Sequence, residues 1–398
     1  MFGSFAYDNP TRLHFGEDSL NALAGELASC GPVVQLVYGG GSIRKNGIYD
    51  QVCAVLKAAG KTIVDDAGVM PNPTIDRVLE GVARAREAKA DLLLAVGGGS
   101  CCDYAKAVAA SVHLAEDPWD FYFERCRPVP ADMPVLPVGC VVTMAGTGSE
   151  MNGTSVITNP AMRAKKNCKF GPRVFPKFAI LNPAFTLTLP DWQMRAGIFD
   201  TFNHIGEAYF SGTDDSVSDY ISEGLMRSVI HAGRVAVKNP QDYEARSNLM
   251  WAATWALNTL IGLGKAGDWN VHGMGRVLGA HTNATHGMTL SAVAMPYYRR
   301  VLPHGLARFR RYATAVWDVA PEGSDMDIAL EGLARMEAWM REIGVVLSVR
   351  GIGVTEEPAE LESLVSDMTA AVAGIRGGYL HLERADIEAI LQESLAAE

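Results

Sequence analysis

Short β-rich apolar runs alternate with helical stretches up to about residue 185, and beyond Pro190 the strand pattern stops. Parallel strands need a connection long enough to return across the sheet, usually a helix, so the alternation predicts a parallel sheet with crossover helices. Strands are expected at residues 32–38, 62–64 and 91–96. Further apolar runs at 135–142, 155–158 and 178–181 are expected to complete the sheet. Helices are expected at 43–59 and 74–89, and Leu187-Thr188-Leu189-Pro190 reads as a boundary. Past it, residues 191–211, 216–237 and 243–262 repeat apolar side chains at helical spacing, which predicts an all-helical second half. A chain of 398 residues exceeds the usual size of one compact domain. The expectation is therefore an α/β domain over 1–189 and a helical domain over 190–398.

With 48% hydrophobic and 20% charged residues, the chain should fold throughout. A net charge of −10, without long acidic blocks, argues against nucleic-acid binding, so any anionic cofactor needs a local positive site. No basic segment precedes an apolar core at the start, and no run approaches the roughly 18 apolar residues of a membrane span. Neither secretion nor membrane insertion is expected. The seven cysteines are odd in number and form no Cys-x-x-Cys pair, which reads as reduced thiols of a cytoplasmic protein.

Two turns, Gly39-Gly40-Gly41-Ser42 and Gly97-Gly98-Gly99-Ser100, each follow an expected strand and open an expected helix. Glycine lets backbone amides approach a ligand without Cβ interference, and a helix start adds unsatisfied N–H donors. A phosphate fits such a place. Neither turn is a Gly-x-Gly-x-x-Gly fingerprint or a P-loop, so each alone reads equally as a tight turn; two in one sheet point to a dinucleotide. The first turn lacks the acidic residue that commonly holds the ribose hydroxyls of NAD. Arg44 and Lys45 follow it, with no carboxylate beside them to repel a 2′-phosphate, so NADP is expected over NAD. Plain solvated helix-start residues are the alternative. Asp103 and Lys106 follow the second turn within one helical turn, where an aspartate also serves as a dipole partner.

Asp200 and His204 are four residues apart, on one face of an expected helix. Alone, such a pair is commonly a surface hydrogen bond. With His272 and His286 it makes one carboxylate and three imidazoles, a set suited to Fe²⁺ or Zn²⁺. Fourteen residues of straight helix would separate the last two by about 21 Å, so the chain must turn between them. Gly279 and Thr282-Asn283-Ala284-Thr285 are expected to supply the break, letting His286 begin a new helix. His281 is near enough in sequence to be a pocket residue.

Together these residues resemble the iron-containing alcohol dehydrogenases, and among them the branch of NADPH-dependent aldehyde reductases and butanol dehydrogenases. The resemblance runs nearly end to end. It is carried by Tyr38-Gly39-Gly40-Gly41-Ser42-Ile43-Arg44-Lys45-Asn46-Gly47, Pro71-Asn72-Pro73-Thr74, Gly97-Gly98-Gly99-Ser100 with Asp103 and Lys106, and Thr143-Met144-Ala145-Gly146-Thr147-Gly148-Ser149-Glu150. It continues through Asp200-x-x-x-His204, residues 248–254 and the segment from His272 to His286. It implies a Rossmann-like dinucleotide-binding domain, a helical metal domain, and hydride transfer between NADP(H), or NAD(H), and an aldehyde or primary alcohol, mainly as reduction. It implies Asp200, His204, His272 and His286 as metal ligands, and Asn72, Thr143, Thr147, Ser149 and Lys169 lining the cofactor site. Asp103 joins the cofactor and catalytic candidates, and a homodimer or larger assembly is implied.

Two departures stand out. Four residues after the first histidine of the 272–286 segment, relatives commonly carry a second histidine, and here the residue is Arg276. Arginine is no general acid near neutral pH, so water or a ribose hydroxyl relays the proton, or Arg276, a candidate for the catalytic site beside Asp103, binds an anionic group of substrate or cofactor; the latter is expected, with polar or carboxylate-bearing aldehydes favoured. Asn182 stands before Pro183 where relatives often have aspartate. The alternatives are a polyol dehydrogenase on the same fold, or a cofactor-binding protein impaired by Arg276.

Overall fold

The structure, a computed structural model, describes residues 3–213 and 215–397. The described residues form two compact units: residues 8–190 make one, and those after Pro190, together with residues 3–7, make the other.

In chain order the strands are β1 (Arg12–Phe15), β2 (Val33–Tyr38), β3 (Thr62–Asp66), β4 (Leu92–Gly97), β5 (Val138–Val142), β6 (Thr154–Asn159), β7 (Ala164–Lys169) and β8 (Phe178–Leu181). The helices between them are α1 (Leu23–Leu27), α2 (Ser42–Lys45), α3 (Ile48–Ala58), α4 (Ile75–Ala88) and α5 (Gly99–Ser111). Six strands form a parallel sheet in the order β1-β8-β5-β4-β2-β3. Strands covered on both faces read as continuous apolar runs, and β4 is buried at every position. Each of its three leucines contributes about 1.5–3 kcal/mol by leaving water. Thr74 caps α4 by accepting from the Arg77 backbone N–H.

Residues 155–158 do not enter this sheet, contrary to expectation. They lie in β6, which pairs antiparallel with β7 in a separate two-stranded sheet. The reason is the connection: only Pro160 to Arg163 join the two strands, and so short a link permits a hairpin but no parallel crossover. The helix expected over 43–59 is also interrupted, at Gly47, whose φ of 79° ends α2 and starts α3 afresh.

Beyond Pro190 the described residues contain no strand. The helices are α6 (Asp191–Tyr209), α7 (Val217–Lys238), α8 (Tyr243–Leu257), α9 (Asn270–Thr282), α10 (His286–Val301), α11 (Leu306–Trp317), α12 (Asp325–Ile343), α13 (Pro358–Val372) and α14 (Arg384–Ala396). A helix apolar on one stripe lies at a surface, whereas α6 is buried at every residue from Ala196 to Tyr209. It packs against α7, α8 and α10 as the central helix of its unit. Among the described residues no helix is long and apolar enough to cross a membrane.

Candidate metal centre and coenzyme cradle

Because α6 is central, whatever it carries at helical spacing is buried with it. Asp200, His204 and Glu207 fall on one face, three and four residues apart. Asp200 is 3% exposed and Glu207 fully buried. His272 comes from α9, which continues through Gly279 to Thr282 rather than breaking there. The chain turns at Asn283, left-handed at φ 54°, and α10 opens with His286. Gly287 allows the approach: a Cβ there would overlap the Ala196 carbonyl of α6.

The three imidazoles converge on one carboxylate oxygen. Asp200 Oδ1 lies 3.5 Å from His204 Nδ1, 3.6 Å from His272 Nε2 and 3.9 Å from His286 Nε2. Two donors each about 2.1 Å from one tetrahedral ion are about 3.4 Å apart. Donor atoms of Asp200, His204 and His272 all lie within 4.8 Å of one another. Asp200 Oδ1 and His272 Nε2 are buried without a hydrogen-bond partner, which native proteins rarely tolerate unless something else satisfies the atoms. A divalent cation fits this donor set. Burial alone would raise the Asp200 pKa, but His204, His286 and His272 outweigh it and hold the carboxyl below its usual range. Burial likewise works against charge on His272, yet Glu207 and Asp200 push it up to about 9.

Sequence reasoning misses Glu207, and the structure gives it a defined position. One of its oxygens accepts from the His272 backbone N–H at 3.0 Å, and the other meets His272 Nδ1. A carboxylate at Nδ1 holds a proton there, so a cation that displaces the Nε2 proton would meet the Nε2 lone pair beside Asp200. The spacing 200, 204, 207 is the signal that could reveal it. Asn203, supported by the Tyr298 hydroxyl at 3.1 Å, also contacts His272 Nδ1. Asp268 bonds Asn270 and the Tyr297 hydroxyl, and its N–H donates to the Glu207 carbonyl. Burial, reinforced by Glu207, raises its carboxyl to about 7. His281 pairs with Asp367 at 2.9 Å.

In the α/β unit the two glycine turns sit at the C-terminal ends of neighbouring strands β2 and β4. There the winding reverses: β3 lies outside β2, while β5 and β8 lie beyond β4. Parallel α/β sheets bind ligands at such a switch point. No side chain caps α5, and while the Cys101 and Cys102 N–H groups donate to the Gly98 carbonyl, the Gly99 and Ser100 amides remain available to a phosphate. The glycines also answer to packing. A Cβ on Gly97 would strike Cys101, one on Gly98 would press on Met144, and one on Gly99 would strike Thr147. Thr143 N–H donates to the Gly97 carbonyl at 3.0 Å, so the 143–147 loop lies over the second turn. At the first turn, Gly40 and Gly41 have open space where a Cβ would be, and Gly41 has φ 101°. Ser42 then begins the short α2.

Asp103 accepts from Ser149 Oγ at 2.5 Å and from the Val156 N–H at 2.9 Å. Fully buried Lys106 donates to Ser149 and Asn152. Both oxygens of Asp103, and the hydroxyl of Ser149, are therefore engaged within the protein, bracing α5 against β6. Asn72, at φ 55°, accepts from Lys165 Nζ at 2.7 Å. Lys169 is exposed at the end of β7, opposite Thr154. The absence of a carboxylate near Arg44 does not hold: Asp65, at the end of β3, lies 3.3 Å from it. Arg44 also bonds the Tyr38 hydroxyl and covers the Tyr49 ring at 3.7 Å. Strand pairing of Val37 with Asp66 brings residues so distant in sequence together.

Comparison with known proteins follows this division. Residues 10–183 match the family described as iron-containing alcohol dehydrogenase, and residues 195–395 the C-terminal domain of the Fe-containing alcohol dehydrogenase family. The chain is 35% identical over 394 residues to NADH-dependent butanol dehydrogenase B of Clostridium acetobutylicum, covering 98% of this chain and 99% of that protein. It is 35% identical over 366 residues to the NADPH-dependent aldehyde reductase YqhD of Escherichia coli, covering 91% and 92% respectively. A crystal structure of NADH-dependent butanol dehydrogenase A from Thermotoga maritima superposes with a TM-score of 0.92 at 34% identity, covering 100% of this chain and 99% of the other.

Proposed function

Since this chain belongs to the iron-containing alcohol dehydrogenase family, we propose that it reduces aldehydes to primary alcohols with NAD(P)H at a divalent metal ion, Fe²⁺ or Zn²⁺. The observation that carries this reading is the convergence of His204, His272 and His286 on one buried Asp200 oxygen.

When bound, the ion supplies a Lewis acid for the carbonyl oxygen, and the reduced nicotinamide supplies hydride. Asp200 offsets part of the ion's charge, and three neutral imidazoles complete the donor set. Glu207 retains the proton on His272 Nδ1, so that Nε2 is the donor. The α5 amides and the two glycine turns hold the coenzyme phosphates. Arg276 keeps its proton at neutral pH, so the proton for the new hydroxyl comes from water or a ribose hydroxyl. Asp103 acts as a brace rather than a proton donor.

The coenzyme is NADP(H) with NAD(H) also accepted: the glycines, Ser42 and Arg44 favour a 2′-phosphate, while Asp65 opposes one. The protein works in the cytoplasm as a homodimer or larger assembly, which light scattering checks. The decisive experiment follows NADPH and NADH oxidation with butanal before chelation, after it, and after Fe²⁺ or Zn²⁺ is restored. Loss on chelation and recovery with metal are expected. Turnover that survives complete metal removal refutes the reading.

A further inference from the structure

Arg276 stands one helical turn beyond His272 on α9. Its side chain therefore leaves the helix on the face of that ligand candidate, about 6 Å further along the axis. It is half-buried. Among the described residues nothing accepts a hydrogen bond from its guanidinium or forms an ion pair with it. Other arginines of the same unit are matched: Arg308 with Asp219 at 3.0 Å, and Arg311 with Glu223 and Asp215 at 2.5 Å each. Burial pulls Arg276 below the usual arginine pKa, and the charge that opposes this is Glu207. Glu207 has both oxygens on His272, so it is no counter-ion for Arg276.

A guanidinium stays charged at neutral pH, and withdrawing it from water without a counter-ion is unfavourable. Its planar fork matches a carboxylate bidentately. The coenzyme phosphates already have glycine turns and the α5 amides in the other unit. A net charge of −10 gives an anionic substrate no general attraction to this protein, so a local cation must supply it.

We propose that Arg276 is a carboxylate subsite, and that the preferred substrates are short aldehydes bearing a carboxylate a few carbons from the carbonyl. This rests on the aldehyde-reductase reading and deepens it. The reaction is balanced as before: hydride from NAD(P)H goes to the carbonyl carbon, a proton from solvent goes to its oxygen, and the carboxylate is unchanged.

The test compares kcat/KM for 4-oxobutanoate and butanal in the metal-loaded wild type, Arg276→Ala and Arg276→Lys. Calorimetric titration with 4-hydroxybutanoate reads the subsite without turnover. The wild type should favour 4-oxobutanoate at least about tenfold, the scale of a charge-assisted hydrogen bond. Arg276→Ala should bring the ratio towards one through KM and weaken 4-hydroxybutanoate binding by a similar factor, while Arg276→Lys retains part of both. An unchanged ratio, or equal 4-hydroxybutanoate affinity in wild type and Arg276→Ala, overturns the subsite. If neither aldehyde is reduced by any metal form, the reductase reading fails, and the titration still decides the carboxylate site.

Discussion

Glu207→Gln isolates what a buried carboxylate does for His272, a candidate metal ligand. The two Glu207 oxygens face two donors, the His272 backbone N–H and ring Nδ1. Glutamine offers one oxygen and one NH₂. If its oxygen keeps the backbone N–H, the NH₂ faces Nδ1, which must then accept. The proton moves to Nε2, the atom 3.6 Å from Asp200, and that nitrogen loses its lone pair for ligation. Metal binding then has to reverse the tautomer, with one fewer buried negative charge beside the ion. Loss of such a partner weakens metal binding by about 10–100-fold, or about 1.4–2.7 kcal/mol. Competition for Zn²⁺ against a chromophoric chelator measures it, with thermal unfolding confirming the fold. His272→Ala and the double variant complete a cycle, and the two changes should be far from additive. A folded Glu207→Gln protein that binds Zn²⁺ within about twofold of wild type refutes the reasoning.

Three further outcomes follow from the same geometry. Asp65→Asn removes the carboxylate beside Arg44 while Tyr38 and Tyr49 still hold the guanidinium, so NADPH affinity should rise relative to NADH by several-fold in fluorescence titration. Arg44→Ala should reverse that, and an unchanged NADPH:NADH ratio in both variants would show that the 2′-position is not read there. Gly287→Ala forces a methyl against the Ala196 carbonyl, an overpacking of about 1–3 kcal/mol, so Tm and Zn²⁺ affinity should fall together while coenzyme affinity stays. Asp268 ionises at about 7 when folded, against 3.8 for an ordinary aspartate, so its contribution to stability is full at low pH and is lost as pH rises through 7. The ceiling is about 4 kcal/mol. Asp268→Asn should flatten the urea-midpoint profile between pH 4 and 7 and be the more stable form above pH 7, and a parallel profile would exclude this carboxyl as the cause.

What can be read from the sequence is whatever a single element writes into its own residues. β4 is buried at every position and appears as an unbroken apolar run ahead of a glycine turn, and β2 departs from that pattern only at the fully buried Gln35. Asp200 and His204 declare a shared helix face by spacing alone. By contrast β1, Arg-Leu-His-Phe, and β7, Ala-Lys-Lys-Asn-Cys-Lys, have no apolar run, because backbone pairing with β8 and β6 defines them more than side-chain burial does. Glu207 escapes notice because a helical glutamate is ordinarily solvated; only the central position of α6 makes it buried. The Arg44–Asp65 pair depends on the register between β2 and β3, which no local pattern encodes.

The helical unit thus pairs two kinds of incomplete electrostatics on adjacent turns of α9. At His272 the buried Nε2 and the Asp200 Oδ1 that faces it have no hydrogen-bond partner, a lack that a dication would resolve. At Arg276 a cation lacks an acceptor, and an anion resolves it. On the proposed reading, a single small molecule carrying a carbonyl at one end and a carboxylate at the other would meet both needs. Neither need is visible from the fold of the α9 backbone, which is an ordinary helix packed on α10 and α13; the first arises because His272 reaches Asp200 and Glu207 of α6, and the second because Arg276 has no such carboxylate to itself.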